Sequence, residues 1–249
     1  MIATASFADH FGQGASGYAA FRPHYPPDLY EYLASLAPVG RVWDCACGSG
    51  QATAGLANQF SDIVATDASA RQINAAAPLP GVEFRVADAT ASGLGDASCS
   101  LVTVAQALHW FASPAFFAEA WRVLQPGGVL VAWSYQLCKV SGAVDPLIEH
   151  LFVDLLGDFW PDERRLVDRG YADISLPGTK LMPPEFVMTA EWTAEQMLGY
   201  LATWSALRRA REATGTDPLA RVAVDLKNRW PTPTAVVRWP LVVIAAQKV

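Results

Sequence analysis

The stretch Val42-Trp43-Asp44-Cys45-Ala46-Cys47-Gly48-Ser49-Gly50 decides how this chain is read. A β-rich run, Arg41 to Asp44, enters a Gly-x-Gly turn, and a helical stretch near Gln51 to Gln59 leaves it. Glycine at such a turn lets the backbone reverse sharply and lets a ligand approach with no Cβ in the way. In open α/β sheets, the carboxyl end of the first strand is where cofactors bind. A Gly-x-Gly by itself also fits a tight turn that only packs helix on strand. The strand-turn-helix order favours the cofactor reading, and so does Asp67, which ends the next strand seventeen residues past Gly50. A carboxylate there can accept both hydroxyl protons of a ribose.

Working outward, short β-rich runs alternate with helical ones. Strands are expected over Arg41–Asp44, Ile63–Asp67, Val82–Val86, Leu101–Ala105 and Val129–Ser134. Helices are expected over Pro27–Leu36, Gln51–Gln59, Ala68–Ala77 and Pro114–Leu124. The last has Ser113 as N-cap, Pro114 at its first position and Gly127-Gly128 beyond its end. Such alternation is the pattern of a parallel sheet covered on both faces. After residue 135 the rhythm changes: a helix over Asp145–Leu156, a strand over Phe186–Trp192, and a final buried strand over Val236–Ala246. Between those two strands lies a helical insertion, about 193–229, opened by a capping box at Thr193–Gln196 and ending with a helix over Pro218–Arg229.

Composition narrows the class. The 249 residues fit one domain, 52% hydrophobic and 17% charged, which places the chain far from disordered sequences. A net charge of -6 without any block of like charge argues against nucleic-acid binding, which needs clustered Lys and Arg. The longest apolar runs, Leu101–Ala112 and Val236–Ala246, are interrupted and too short to span a bilayer, so no membrane association is expected. Met1–Asp9 has neither a basic start nor an apolar block, so a cytoplasmic location is expected. Cys45, Cys47, Cys99 and Cys138 form no pair of C-x-x-C units, so no metal site is expected. Oligomeric state stays open.

The loop also says which cofactor it suits. A dinucleotide fingerprint would carry a third glycine where this chain has Thr53. Asp44 beside the loop would repel a pyrophosphate, but suits a cofactor bearing an amino group and a sulfonium. No Gly-Lys-Ser/Thr follows, so a P-loop is excluded.

Asp44-Cys45-Ala46-Cys47-Gly48-Ser49-Gly50 resembles motif I of the class I S-adenosylmethionine-dependent methyltransferases. Asp67 matches that family's ribose-binding acid, with Ala68 beside the adenine; Asp88-Ala89 resembles its adenine-contacting pair. Gln106-Ala107 falls where the family lines the methionine side of the pocket, and Leu124-Gln125-Pro126-Gly127-Gly128 resembles its turn into strand five. The resemblance implies S-adenosylmethionine as cofactor, bound by Asp44, Cys45, Ala46, Gly48, Gly50, Asp67, Ala68, Asp88, Ala89, Gln106 and Ala107. It also implies a Rossmann-like α/β fold: a doubly wound, mostly parallel seven-stranded sheet with an antiparallel end hairpin and a helical cap. Residues 1–249 would then form a single methyltransferase domain, with an N-terminal cap (1–36), a cofactor-binding core (37–135) and a C-terminal part (136–249) holding the insertion.

Gln106-Ala107-Leu108-His109-Trp110-Phe111 is similar to a signature of the small-molecule subgroup that includes trans-aconitate methyltransferase. The head, Tyr18 to Pro26, and Gly199 to Ala206 resemble the same subgroup's N- and C-terminal segments. The resemblance implies a small-molecule acceptor bound by Tyr18, Arg22, Tyr25, His109, Trp110 and Trp204, with His109 as the catalytic candidate. Read without the family, His109 and Trp110 follow the fourth strand's carboxyl end, and a histidine among apolar residues can equally be a satisfied structural group. Arg22, beside a turn proline, suits bidentate carboxylate recognition, or is simply exposed. If the acceptor is a carboxylate oxygen, no base is needed; for a hydroxyl or amine, His109 is the candidate base. The preferred expectation is oxygen methylation of a small, carboxylated acceptor. Two alternatives stand beside it: a nucleic-acid or protein methyltransferase, for which the Asn/Asp-Pro-Pro-Tyr/Phe motif is missing after strand four, and a non-catalytic cofactor-binding scaffold or sensor.

Overall fold

Aliphatic and aromatic side chains on both sides of a strand fit a sheet buried on both faces, and the central strands here have that composition. The computed structural model describes residues 23–249 except Pro38 and Thr232. Strands β1 (Arg41–Cys45), β2 (Ile63–Asp67), β3 (Val82–Val86), β4 (Cys99–Ala105) and β5 (Leu124–Tyr135) pair in parallel in the order β3-β2-β1-β4-β5. Their carboxyl ends therefore share one edge, and the chain reverses its direction of growth between β1 and β4. The last long strand, β8 (Ala235–Gln247), runs antiparallel to β5. The other edge of β8 takes both β6 (Thr179–Leu181) and β7 (Phe186–Trp192), also antiparallel. These two form one lane, interrupted around Pro183-Pro184, which cannot donate to a ladder. Among the described residues eight strands thus occupy seven lanes.

Side chains alternate between two cores. Val42, Ile63 and Leu101 face one side with helices α1 (Pro27–Leu36) and α2 (Gln51–Leu56); Trp43, Val64 and Val102 face the other. Helix α3 (Ala70–Ala75) follows β2 and buries none of its residues, whereas α4 (Pro114–Val123) buries Phe116, Ala120 and Val123 in the second core. Ser113 Oγ accepts from the Phe116 N–H at 3.3 Å and opens α4. Lys248 Nζ donates to the carbonyls of Trp121 and Leu124 at its far end, a cation where the helix dipole favours one. Within the sheet, fully buried Trp43 donates from Nε1 to Thr66 Oγ1 at 2.9 Å, so no polar atom of that pair is left unpaired between β1 and β2.

Several expected elements have other bounds. The strand expected from Val129 begins at Leu124, directly after α4, and passes Gly127-Gly128 with a register shift against β4. The helix expected over Asp145–Leu156 is α5 (Asp145–Glu149) followed by a wider π-helical turn, His150–Leu155. A short helix, α6 (Arg164–Asp168), and β6 had no forecast. The insertion divides into α7 (Ala194–Ala202), α8 (Ser205–Thr214) and α9 (Pro218–Arg229), and the capping box at Thr193 and Gln196 is present at the start of α7. The closing strands β7 and β8 pair antiparallel as expected, with those three helices between them. The helices pack into the first core through Met197, Leu201, Leu207, Val222 and Leu226. No helix among the described residues is long and apolar enough to cross a membrane.

Helices α1 and α2 meet where Gly55 faces the ring of buried Tyr30, and a Cβ built on Gly55 would overlap that ring. Gly55→Ala is therefore expected to cost about 1 to 3 kcal/mol by overpacking. That lowers Tm by about 2 to 4 °C per kcal/mol for a chain of this size. Calorimetric melting of Gly55→Ala, with and without Tyr30→Leu, tests this; an unchanged Tm in the single variant would show that the two helices do not meet this closely.

Candidate active site

The glycine loop sits where β1 ends. Ala46, Gly48 and Gly50 have left-handed backbones, with φ of +56°, +58° and +89°. Among the described residues a Cβ on Gly48 would meet no atom within 4 Å, so the loop faces open space there; one on Gly50 would press on the Phe84 ring at 3.1 Å. Asp67, at the end of β2, fixes the loop from the side: Oδ2 accepts from the Gly48 N–H at 2.9 Å and Oδ1 from the Ser69 N–H at 2.8 Å. Ala68 lies directly between these contacts.

Asp44 supports the loop from beneath. It has no exposed surface; Oδ2 accepts from Thr53 Oγ1 at 2.6 Å and Oδ1 from Thr103 Oγ1 at 3.0 Å. Burial pushes its carboxyl up to about 6, against the opposing effect of the two hydroxyls. Thr53, the residue that stands in place of a third glycine, thus ties α2 to the end of β1. Cys45 and Cys47 are buried, and burial pushes both thiols up, away from the thiolate. Among the described residues no group of three or more His, Cys, Asp or Glu could hold a metal.

These residues fit the nucleoside part of S-adenosylmethionine. Asp67 ends β2 beside the glycine loop, where a carboxylate, whose oxygens can each accept more than one hydrogen bond, suits the two hydroxyls of a ribose. The position of the missing Gly48 side chain leaves room for the ligand to meet the backbone. Asp88, just past β3, is exposed; its Oδ1 accepts from the Thr90 N–H and hydroxyl at 2.8 and 2.6 Å, with Ala89 half-buried inside that turn.

On the other side of the switch point, Gln106 follows β4 with φ of +56° and donates its N–H to the Trp133 carbonyl at 2.8 Å. Ala46 and Gln106, two non-glycine residues in a costly left-handed conformation, thus flank the crevice between β1 and β4. Buried Ala107 leads into a 3-10 turn, Leu108–Trp110. His109 Nδ1 lies 3.3 Å from the Tyr171 hydroxyl, and its ring centroid is 4.8 Å from that of Trp110. Burial lowers the His109 pKa to about 4, the positive charge of Arg164 adding to the effect, while burial raises Tyr171 to about 12. Tyr25 is buried edge-on to Trp133 at 5.6 Å. Trp204, between α7 and α8, packs on Phe152 and Trp160 at 5.6 and 5.5 Å. Tyr18 and Arg22 lie outside the described residues.

The described cofactor-side candidates, with His109 and Trp110, therefore lie at the carboxyl ends of β1 to β4, while Trp204 packs among Phe152, Trp160 and Tyr200. Thr53, Thr103, Tyr171 and Arg164 were not foreseen. Only Thr53 had a local signal, a hydroxyl where a fingerprint glycine is missing.

A doubly wound sheet with a glycine cradle at its switch point and an acid closing β2 defines a nucleoside-cofactor enzyme. A family profile described as a methyltransferase domain matches residues 43–132. A candidate methyltransferase of Dictyostelium discoideum is 32% identical over 231 residues, covering 91% of this chain and 88% of that protein. The solved structure of a candidate type II methyltransferase from Anaeromyxobacter dehalogenans superposes with a TM-score of 0.86 at 41% identity, covering 91% of this chain and 97% of that one. A malonyl-[acyl-carrier protein] O-methyltransferase of a Marinomonas species is 31% identical over 133 residues, 49% of this chain and 48% of that protein. The chain belongs to the class I S-adenosylmethionine-dependent methyltransferases, and S-adenosylmethionine is its cofactor.

Proposed function

We propose that this enzyme methylates a carboxylate oxygen of a small organic acid, in line with its resemblance to the trans-aconitate methyltransferase-like subgroup. The observation that carries this reading is the state of His109. A general base works best with a pKa near the operating pH, and burial holds His109 at about 4. An acceptor needing no proton removed suits such a site, and an ionised carboxylate is one. The Marinomonas relative, whose name gives oxygen as its methyl acceptor, adds support. The net charge of -6 favours a small molecule over a nucleic acid.

Bound S-adenosylmethionine supplies an activated methyl group on a sulfonium that leaves without acid assistance. The chain's own task is then to orient the acceptor and exclude water. On this reading Tyr171, kept protonated and 3.3 Å from His109 Nδ1, serves as the donor of that contact, so that the imidazole hydrogen sits on Nε2 and faces the acceptor. His109 is thereby a positioning group, and Trp110 shields its ring. Residues 37–135 bind the cofactor, and 136–249 shape the acceptor side of a single domain. Four buried free thiols suit a reducing, cytoplasmic setting.

Release of S-adenosylhomocysteine over a panel of small acids and their amides tests the proposal: acids should turn over and amides should not. kcat/KM should be flat from pH 6 to 8, because His109 changes charge only near 4. His109→Gln should cost at most about tenfold, where loss of a general base costs about 10²- to 10⁴-fold. An inflection near pH 6.5 that disappears in His109→Gln would overturn the reading.

A further inference from the structure

We propose that Arg164 is the acceptor-carboxylate anchor of this enzyme, presented to the site by an aromatic clamp of Phe152 and Trp160. The guanidinium carbon lies 5.3 Å from the centroid of Phe152 and 5.0 Å from that of Trp160, and the two rings are 4.8 Å apart. The guanidinium lies over both rings at cation–π distance, which holds the charge in place. One edge is used: Nε donates to Asp168 Oδ1 at 2.9 Å. Among the described residues neither Nη1 nor Nη2 donates a hydrogen bond. Those two parallel donors match a carboxylate bidentately. The side chain is only 22% exposed, so its charge is not simply dissolved in water.

Its place in the fold is that of the acceptor. Helix α6, which carries Arg164, packs on the 3-10 turn that holds His109. Gln136, one residue past β5, donates from Nε2 to the Val167 carbonyl at 2.7 Å and ties α6 to the sheet edge where the cofactor cradle lies. The charge of Arg164 reaches both His109 and Tyr171, adding to the fall of the first pKa and opposing the rise of the second. Trp204 completes the wall behind the clamp. The substrate class this places at the site is a small carboxylate.

This inference rests on the carboxylate reading above, and the test separates the two. Wild type, Arg164→Gln and Arg164→Lys, each saturated with S-adenosylhomocysteine, are titrated calorimetrically with trans-aconitate, fumarate and cinnamate and with their amides. Turnover of the same acids is followed with S-adenosylmethionine. Arg164→Gln should raise the Kd and KM of the acids about tenfold, the loss of one charge-assisted pair, with kcat within about twofold. Cofactor affinity, Tm and the response to amides should stay put, and Arg164→Lys should recover part of the loss. Unchanged acid binding in Arg164→Gln overturns the anchor. So does a joint fall of acid affinity, cofactor affinity and Tm, which would mark a packing role only. Acids that bind through Arg164 without being methylated would sink the esterification reading and leave the anchor standing. No binding of any acid to wild type overturns the anchor, whatever acceptor is methylated.

Discussion

Asp67→Ala should weaken S-adenosylmethionine binding by roughly 30- to 1,000-fold, or about 2 to 4 kcal/mol. The side chain has two duties. Its oxygens hold the Gly48 and Ser69 N–H groups at 2.9 and 2.8 Å, which sets the loop before any ligand arrives. The same carboxylate stands where the family's acid accepts from two ribose hydroxyls. Alanine removes both, leaving the hydroxyls unpaired and the loop without its lateral tie. Asp67→Asn should fall between, because an amide can accept at one of the two backbone donors and opposes the other with its NH₂. Titration calorimetry with S-adenosylhomocysteine measures both variants. The apoprotein should melt close to wild type, since Asp67 is only half-buried and water can replace it at the N–H groups. A Kd equal to wild type would mean that the ribose is held elsewhere.

The sheet was legible because its signals are local. β2, β3 and β7 carry the bounds read from continuous or alternating apolar runs, and α1 and α9 begin at the prolines that mark them. The same locality exposed the cradle, since strand, glycines and Asp67 lie within thirty residues of chain. What escaped was made by distance or by brevity. β6 has three residues and no alternation; α6 has five, three of them charged. Tyr171 meets His109 across 62 residues and Thr103 meets Asp44 across 59. Arg164 is four residues past Trp160, but its second ring, Phe152, sits on the π-helical turn. Nothing in a single sequence announces that wider turn. Its position after β4 makes His109 a candidate base for a hydroxyl or amine acceptor; the environment that depresses its basicity comes from burial and from Arg164, both supplied by tertiary packing.

Cofactor affinity should also depend on pH through Asp44, falling about tenfold per pH unit at its steepest below pH 6, and up to about a hundredfold in all. The carboxyl is raised from 3.8 to about 6, chiefly by burial. For an acid this means that the folded apoprotein binds more protons than the unfolded chain between those values. Its stability therefore declines as pH rises through that window, by about 3 kcal/mol. A cofactor carrying ammonium and sulfonium charges stabilises the ionised carboxylate, so the pKa in the complex lies lower and binding expels a proton. Affinity is then full above about pH 7, halved near 6 and lost as pH falls further. His109, at about 4, changes charge below most of this window. S-adenosylhomocysteine, which keeps the ammonium but lacks the sulfonium, should show a shallower slope. Asp44→Asn should bind more weakly at pH 7 and with no slope at all. Thr53→Val and Thr103→Val each remove a hydroxyl that favours the ionised form, so each should move the midpoint to higher pH. Calorimetric Kd values between pH 5 and 7.5 decide the matter, and a flat wild-type profile, or an unchanged slope in Asp44→Asn, would show that this buried acid does not sense the cofactor's charge.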